Sequence, residues 1–330
     1  MFNIMFLSLL FYTGTTSIAC ASGYNMNIKN QKFAVEVNKK VSSSVTVIEE
    51  ISVHSYIVCA SWCAGSPTCC SASYNKTSKQ CQSYSCCEPE TVLFENGIVL
   101  RKLPDQDKLI DCTDISNGSL SGVYAMYHND GPFDVYCDVN SDGKWTIIQR
   151  RLNGAVDFYR NWQDYKLGFG NVNTEFWLGN DNLHNILSLS AREYKLRIDL
   201  EDWNGKTRYV EYDTFFVGNE ATNYVLTIGN YSGNVGDSIV FSGKDNCDIN
   251  GMAFSTWDVD NDVDNIDSCA KDKKHAGWWY NACTRANLNG IYYNGGVEEN
   301  DGIYWKNWYS SDYSLKTVTM KIKSHYRRCS

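Results

Sequence analysis

The chain has 330 residues, a net charge of −8, 14% aromatic residues and only 4 prolines. Its length allows two domains, one of them large enough for a core of its own. Beyond Lys271 to Lys274 there is no basic stripe, which excludes a phosphate-binding nucleic-acid surface, and the aromatic content excludes a disordered chain.

At the N-terminus an apolar run from Ile4 to Tyr12 precedes small residues, with Ser17-Ile18-Ala19 or Ala19-Cys20-Ala21 as cleavage site. The run is far short of the ~20 apolar residues of a membrane span. Residues 1–19, or alternatively 1–21, are therefore expected to be a signal peptide, and the mature protein to be extracellular with no span. In an oxidising compartment the 14 cysteines read as disulfides rather than zinc ligands. Sequons at Asn75, Asn117 and Asn230 fit the same route.

Cysteine density then divides the chain. Seven cysteines lie between Cys59 and Cys87, and Arg101 to Asp107, with Pro104, reads as a linker. Phe33 to Val37 alternates as a strand. Ser52 is expected to cap a short helix running through Cys63, which puts Cys59 and Cys63 on one face. Strand-like pieces follow at Cys70–Tyr74, Gln80–Tyr84 and Gly97–Arg101. This helix, the Cys59-x3-Cys63-x5-Cys69 spacing and Cys81 resemble a PAN/apple domain over residues 30–103. The resemblance implies bridges Cys59–Cys81 and Cys63 to Cys69 or Cys70, and leaves Cys70, Cys86 and Cys87 open.

From Cys112 onward the pattern changes. Gly122-Val-Tyr and Phe133 to Asp138 read as strands, Trp145 to Arg151 as a buried strand, and Tyr194–Leu200 and Arg208–Phe216 as alternating strands. Among these, Phe133-Asp-Val-Tyr-Cys-Asp, Trp145-Thr-Ile-Ile-Gln-Arg-Arg, Phe176-Trp-Leu-Gly-Asn-Asp-Asn-Leu-His, Gly251-Met-Ala-Phe-Ser-Thr-Trp-Asp and Gly277-Trp-Trp-Tyr-Asn-Ala-Cys resemble a fibrinogen-related (fibrinogen C-terminal) domain over residues 108–325. The resemblance implies an α+β fold with a central, mostly antiparallel sheet and a loop-rich calcium and ligand subdomain. It also implies bridges Cys112–Cys137 and Cys269–Cys283. Cys247 and Cys329 lie outside those bridges and are candidates to pair with each other. Cleavage after Ala21 would leave thirteen cysteines, an odd number that allows a disulfide-linked oligomer.

Residues 251–290 are polar, long and poor in regular structure, the composition of a loop that holds an ion or ligand. Asp258, Asp260, Asp262 and Asp264 occupy every second position. An EF-hand fails, because the sixth position from Asp258 is Val263 and the twelfth is Cys269. A zinc site fails for want of His or thiolate ligands. The resemblance implies a Ca²⁺ site with side-chain ligands Asp260 and Asp262 and two main-chain carbonyls. Counted from the front these are Asp264 and Ile266; counted from the back, Asn265 and Asp267.

The same resemblance implies a neighbouring pocket. Its residues would be Trp278, Tyr280, Asn281, Cys283 and Thr284, bordered by Asn300 and Asp301, while Trp279 is expected to be structural. A cis peptide is implied at Ala282–Cys283. In ficolin- and tachylectin-like relatives this pocket takes acetyl groups; in the fibrinogen γ chain it takes a peptide amino terminus. Thr284 stands where the lectin relatives carry His, and an acidic rim favours a cationic ligand. None of the five histidines forms a recognisable triad or metal motif, so no enzyme is expected. The expectation is a secreted, calcium-dependent lectin-like protein binding acetylated or related surface glycans in an innate immune setting. The alternative is an adhesive or signalling ligand for a protein receptor or peptide amino terminus.

Overall fold

The first helix begins one turn later than its sequence suggests. Ser52 ends a strand, and the cap is Ser55, whose Oγ accepts the Val58 N–H at 3.3 Å. A serine already committed to a sheet ladder cannot adopt the capping role, which corrects the expectation at Ser52. The computed structural model describes residues 23–28, 31–87, 89–102, 109–128, 131–188, 192–240, 247–309 and 312–326. The expected signal peptide, Cys20, Cys329 and positions 103–107 of the linker lie outside the described residues.

The N-terminal unit comprises β1 (Gly23–Ile28), β2 (Gln31–Val41), β3 (Glu49–Ser52), α1 (Tyr56–Gly65), β4 (Ser71–Asn75), β5 (Gln80–Tyr84) and β6 (Thr91–Lys102). The strands form one antiparallel sheet in the order β1-β2-β6-β4-β5-β3. Cys59 and Cys63 sit one helical turn apart on the buried face of α1. Cys59 bonds to Cys81 of β5 and Cys63 to Cys69, the nearer of its two open partners. Cys70 bonds to Cys87, and Cys86 is disulfide-bonded as well. These bridges reinforce a small core of Phe33, Val35, Ala60, Ala72, Tyr74, Ile98 and Leu100, a cluster of the size that needs staples.

The larger unit contains β7 (Gly122–His128), β8 (Gly131–Asn140), β9 (Gly143–Arg151), α2 (Trp162–Leu167), β10 (Phe169–Gly170), β11 (Phe176–Trp177), α3 (Asn180–Leu187), β12 (Arg192–Glu201), β13 (Thr207–Val217), β14 (Leu226–Gly233), β15 (Phe254–Ser255), β16 (Trp278–Trp279) and β17 (Thr317–Tyr326). Its main sheet runs β10-β11-β9-β17-β12-β13-β14, and β8 joins the first half of β9 and carries β7. Every pairing is antiparallel, which with the short helices makes the domain α+β. β17 lies between β9 and β12, so the last strand in sequence is central in space. Its Val318, Met320 and Ile322 stand opposite Leu200, Ile198 and Leu196, all buried. This is the apolar half of a period-2 alternation in each strand. Cys112–Cys137 ties the segment before β7 to β8.

Candidate functional site

Apart from isolated bridges such as Thr256–Val259, Ala286–Trp305 and Ile291–Gly302, the regular structure of residues 247–309 is the two-residue ladder of β15 and β16 and a π-turn at Cys269–Lys273. Buried side-chain amides replace the missing ladder bonds. Asn287, fully buried, donates Nδ2 to the carbonyls of Lys274 (3.1 Å), Asp301 (3.2 Å) and Gly302 (3.2 Å). Asn289 donates to Gly277 O at 2.9 Å and accepts from Gln149 Nε2 of β9 at 3.1 Å. Trp279 Nε1 donates to Tyr224 O at 2.8 Å. Asn287, Asn289 and Trp279 each answer at least one backbone carbonyl of the irregular chain. The Asn-Leu-Asn-Gly run thus does more than turn the chain; it ties the 274–277 and 301–302 loops to β9.

The alternating aspartates have a local cause. Asp260 Oδ1 accepts the Asp262 N–H (3.2 Å), Asp262 Oδ1 the Asp264 N–H (2.8 Å), and Asp264 Oδ1 the Ile266 N–H (3.1 Å). Successive Asx-turns curl the loop at a period of two residues. Asp262 Oδ2 also accepts the Cys269 N–H at 2.7 Å, which fastens the loop to the Cys269–Cys283 bridge. Burial, partly offset by those two N–H groups, and then the neighbouring Asp260 carboxylate push the Asp262 carboxyl up to about 6. Two carboxylates held this close form an oxygen donor set that fits a hard cation.

The other aspartates differ. Lys273 Nζ binds the Asp264 carboxylate at 2.5 Å and holds its carboxyl below the usual range, so this side chain is already paired. Asn265 is exposed beside it. Asp258 is structural: its Oδ1 accepts the N–H of Trp162, the first residue of α2, at 2.9 Å. Asp264 also lies near the sulphurs of Cys269 and Cys283, but their disulfide leaves no thiolate for a metal.

Around the bridge, the Ala282–Cys283 peptide is cis. Cys283 and Thr284 are buried, and Thr284 Oγ1 is turned onto Ala286, donating to its carbonyl at 2.9 Å. The expectation that Trp278 and Tyr280 wall the pocket is corrected. They are 1% and 0% exposed, and the Tyr280 hydroxyl is directed inward to Ala276 O at 3.0 Å. Like Trp279, they pack as local core, in one buried cluster with Phe254, Leu288 and Trp305. Asn281 spends its amide on Asp248 O (2.9 Å) and its carbonyl on the Val263 N–H (3.3 Å), bridging pocket and ion loop.

The accessible rim is made by other residues. His275 Nδ1 lies 2.8 Å from Asp301 Oδ2, and the Tyr293 hydroxyl donates to Asp301 Oδ1 at 3.1 Å. The Tyr159 ring meets His275 edge-on at 5.4 Å and neighbours Trp257 at 6.4 Å, and both Tyr159 and Trp257 are exposed. Lys274, largely buried, donates to Asn300 O at 2.7 Å, and burial lowers its pKa. Tyr159, Trp257, Lys274 and Tyr293 are absent from the sequence expectations. Tyr159 sits about a hundred residues from the loop, and no local spacing connects them.

A central antiparallel sheet carrying a loop-built recognition surface, with a disulfide next to curled aspartates, defines a globular binding domain of the fibrinogen type. The chain belongs to the family described as fibrinogen beta and gamma chains, C-terminal globular domain, whose model matches residues 109–325. It is 46% identical over 227 residues to angiopoietin-related protein 7 of Bos taurus, covering 66% of this chain and 62% of that protein. It is 41% identical over 244 residues to fibrinogen-like protein 1 of Homo sapiens, covering 69% and 76% respectively. Among solved structures it resembles a lamprey fibrin D-dimer complexed with the peptide ligand Gly-His-Arg-Pro-amide. There the TM-score is 0.59 and the identity 37%, over 65% of this chain and 73% of that one. No helix among the described residues is long and apolar enough to cross a membrane.

Proposed function

We propose that this protein is an extracellular adhesive or signalling ligand whose fibrinogen domain binds a protein receptor or a peptide amino terminus beside a calcium-loaded loop. The observation that carries this reading is the Asp301 carboxylate at the rim, set between His275 and Tyr293 with the exposed Tyr159 and Trp257 alongside. A carboxylate framed by aromatic rings suits an ammonium group. The burial of Trp278 and Tyr280 removes the aromatic walls that an acetylated glycan would use, so of the two expectations the protein ligand is the better supported. Relatives named angiopoietin-related and fibrinogen-like, and a peptide complex among similar structures, point the same way.

The ion would be held by the Asp260 and Asp262 carboxylates with main-chain oxygens of Asp264 and Asn265. When bound, Ca²⁺ would neutralise the two adjacent carboxylates and stiffen the loop. The N-terminal unit is read as a PAN/apple-like module that contributes a second binding surface. His128, His184 and His325 have partners away from the site, such as His184 Nδ1 with Val217 O at 2.9 Å, and the protein is read as a binder rather than an enzyme. Calorimetric titration with Gly-His-Arg-Pro-amide, its N-acetylated form and N-acetylglucosamine, each with calcium and with EDTA, tests this. The free-amine peptide should bind in calcium, and Asp301→Asn should weaken it about tenfold. Binding of the acetylated sugar without binding of the free-amine peptide would restore the glycan reading.

A further inference from the structure

The face of the N-terminal sheet turned away from α1 carries a groove of about 210 Å³, whose lining includes Asn75, Ser73, Gln82, Phe94, Lys40 and Gly97. Strand alternation sets the two faces: Tyr74 lies in the core with Cys59 and Ala60, so Ser73 and Asn75 point the other way. Gly97 stands opposite Asn75 in the β4–β6 ladder. A Cβ at Gly97 would lie 2.1 Å from Lys39 O and 2.9 Å from Phe94 Cδ1, so the Lys39 carbonyl and the Phe94 ring close over this glycine and the groove has backbone beneath it and an aromatic edge. Phe94 is half-buried, with Lys40 Nζ 4.9 Å from its centroid.

Asn75 opens the sequence Asn75-Lys76-Thr77. Its Oδ1 accepts the N–H groups of Thr77 (2.9 Å) and Ser78 (3.2 Å), which fixes the carboxamide plane and sets Nδ2 on the opposite side. Thr77 is exposed, so the acceptor sequence is within reach of a transferase. An acceptor amide, a backbone floor, an aromatic edge and neighbouring hydroxyl and amide groups share one groove, and a sugar offers both apolar C–H faces and hydroxyls.

We propose that Asn75 carries an N-linked glycan whose first N-acetylglucosamine is seated in this groove against Phe94. In the attachment step Asn75 Nδ2 bonds to C1 of the sugar as the C1–O bond to a lipid-pyrophosphate donor breaks. The lipid pyrophosphate leaves with the electron pair, and the Nδ2 proton passes to the transferase's base. The glycan is then part of the fold of the N-terminal unit, covering the groove beside Phe94.

The inference rests on the extracellular reading, and the test separates the two. The full chain is expressed in a eukaryotic secretory host, and each sequon is scored for occupancy by peptide mass spectrometry. Thermal melting is compared for wild type, Thr77→Ala, Phe94→Ala and the double variant. Thr77→Ala removes the acceptor sequence while leaving the Asn75 side chain in place. Asn75 should be occupied, and Thr77→Ala should lower the melting temperature by about 3 °C. Phe94→Ala should cost clearly more in the glycosylated background than in the Thr77→Ala background. An unoccupied Asn75 beside an occupied Asn117 or Asn230 overturns the site while leaving the secretory route intact. Equal costs of Phe94→Ala in both backgrounds overturn the seating. A chain retained in the cell with all three sequons empty overturns the extracellular reading and this inference with it.

Discussion

Arg151 and Glu175 meet in the interior behind the Asn287–Gly290 turn, 1% and 0% exposed, with Nε 4.0 Å from Oε1. Arg151 Nη1 donates to Gly290 O at 2.7 Å, and its guanidinium lies 3.9 Å from the Phe158 ring centroid. Glu175 gathers the N–H groups of Leu152, Asn153 and Gly154 on one oxygen and that of Val156 on the other. Burial alone would raise the Glu175 carboxyl, but these four donors hold it below the usual range. One ion pair therefore ties the end of β9 to the loop before α2 and to the turn supporting the site. Glu175→Ala should destabilise the domain by about 3–5 kcal/mol, because it strands both a buried guanidinium and several N–H groups. Urea denaturation checks this; a loss under ~1 kcal/mol would contradict it.

Asp111 gives the acid limb. Its burial works against ionisation, but the Arg192 guanidinium at 2.6 Å, then the Thr113 and Tyr194 hydroxyls, hold its carboxyl below the usual range. A carboxyl depressed in the folded state contributes stability that is complete above its unfolded pKa of ~3.9 and is lost as pH falls through the folded value. The melting temperature of Asp111→Asn should therefore lie below wild type at neutral pH, with the gap narrowing below about pH 4. A gap constant from pH 7 to pH 2.5 would rule out this role.

Calcium should stabilise the fold through Asp260 and Asp262. At a hundred times its dissociation constant a single bound ion adds about 2.7 kcal/mol, enough to read as a melting shift reversed by EDTA. Asp262→Ala should abolish the shift, whereas Asp258→Ala should keep it, since Asp258 is committed to α2. An unchanged shift in Asp262→Ala would remove these residues from the ion site.

Gly277 is held to its identity by contact. A Cβ there would lie 2.3 Å from the buried Tyr165 ring. Because that ring is also pinned by its hydroxyl bond to Phe158 O at 2.7 Å, it cannot yield cheaply. Gly277→Ala should cost about 1–3 kcal/mol and displace β16, lowering ligand affinity and stability together. Circular dichroism in the aromatic region, combined with peptide titration, would show both or refute the coupling.

The helix cap separates what a sequence displays from what it hides. Ser55→Ala should cost about 1 kcal/mol and Ser52→Ala much less, although both serines precede the same apolar run. Local grammar identifies β2 and β12 by their alternation and β9 as a buried apolar run, and the cysteine spacing marks a stapled unit. β17 carries the same alternation at Val318, Met320 and Ile322, but no local signal says that it inserts between β9 and β12. The site is legible where neighbours in sequence make it, as in the Asx-turns of Asp260 to Asp264. It is illegible where it depends on distant partners. Trp278 and Tyr280 look like pocket walls because nothing local shows them covered, and Asn287 and Asn289 look like turn residues because their acceptors lie on other loops. Tyr159 joins the rim only through the packing of the loop before α2.

The position of β17 bears on how the protein is made. Both of its ladder partners leave the ribosome well over a hundred residues earlier, and until residues 317–326 follow, β9 and β12 face a gap. The main sheet cannot close until residues 317–326 have emerged, whereas every strand of the N-terminal unit is already available by Lys102. The larger domain waits for its own middle, open along two strand edges until residues 317–326 arrive.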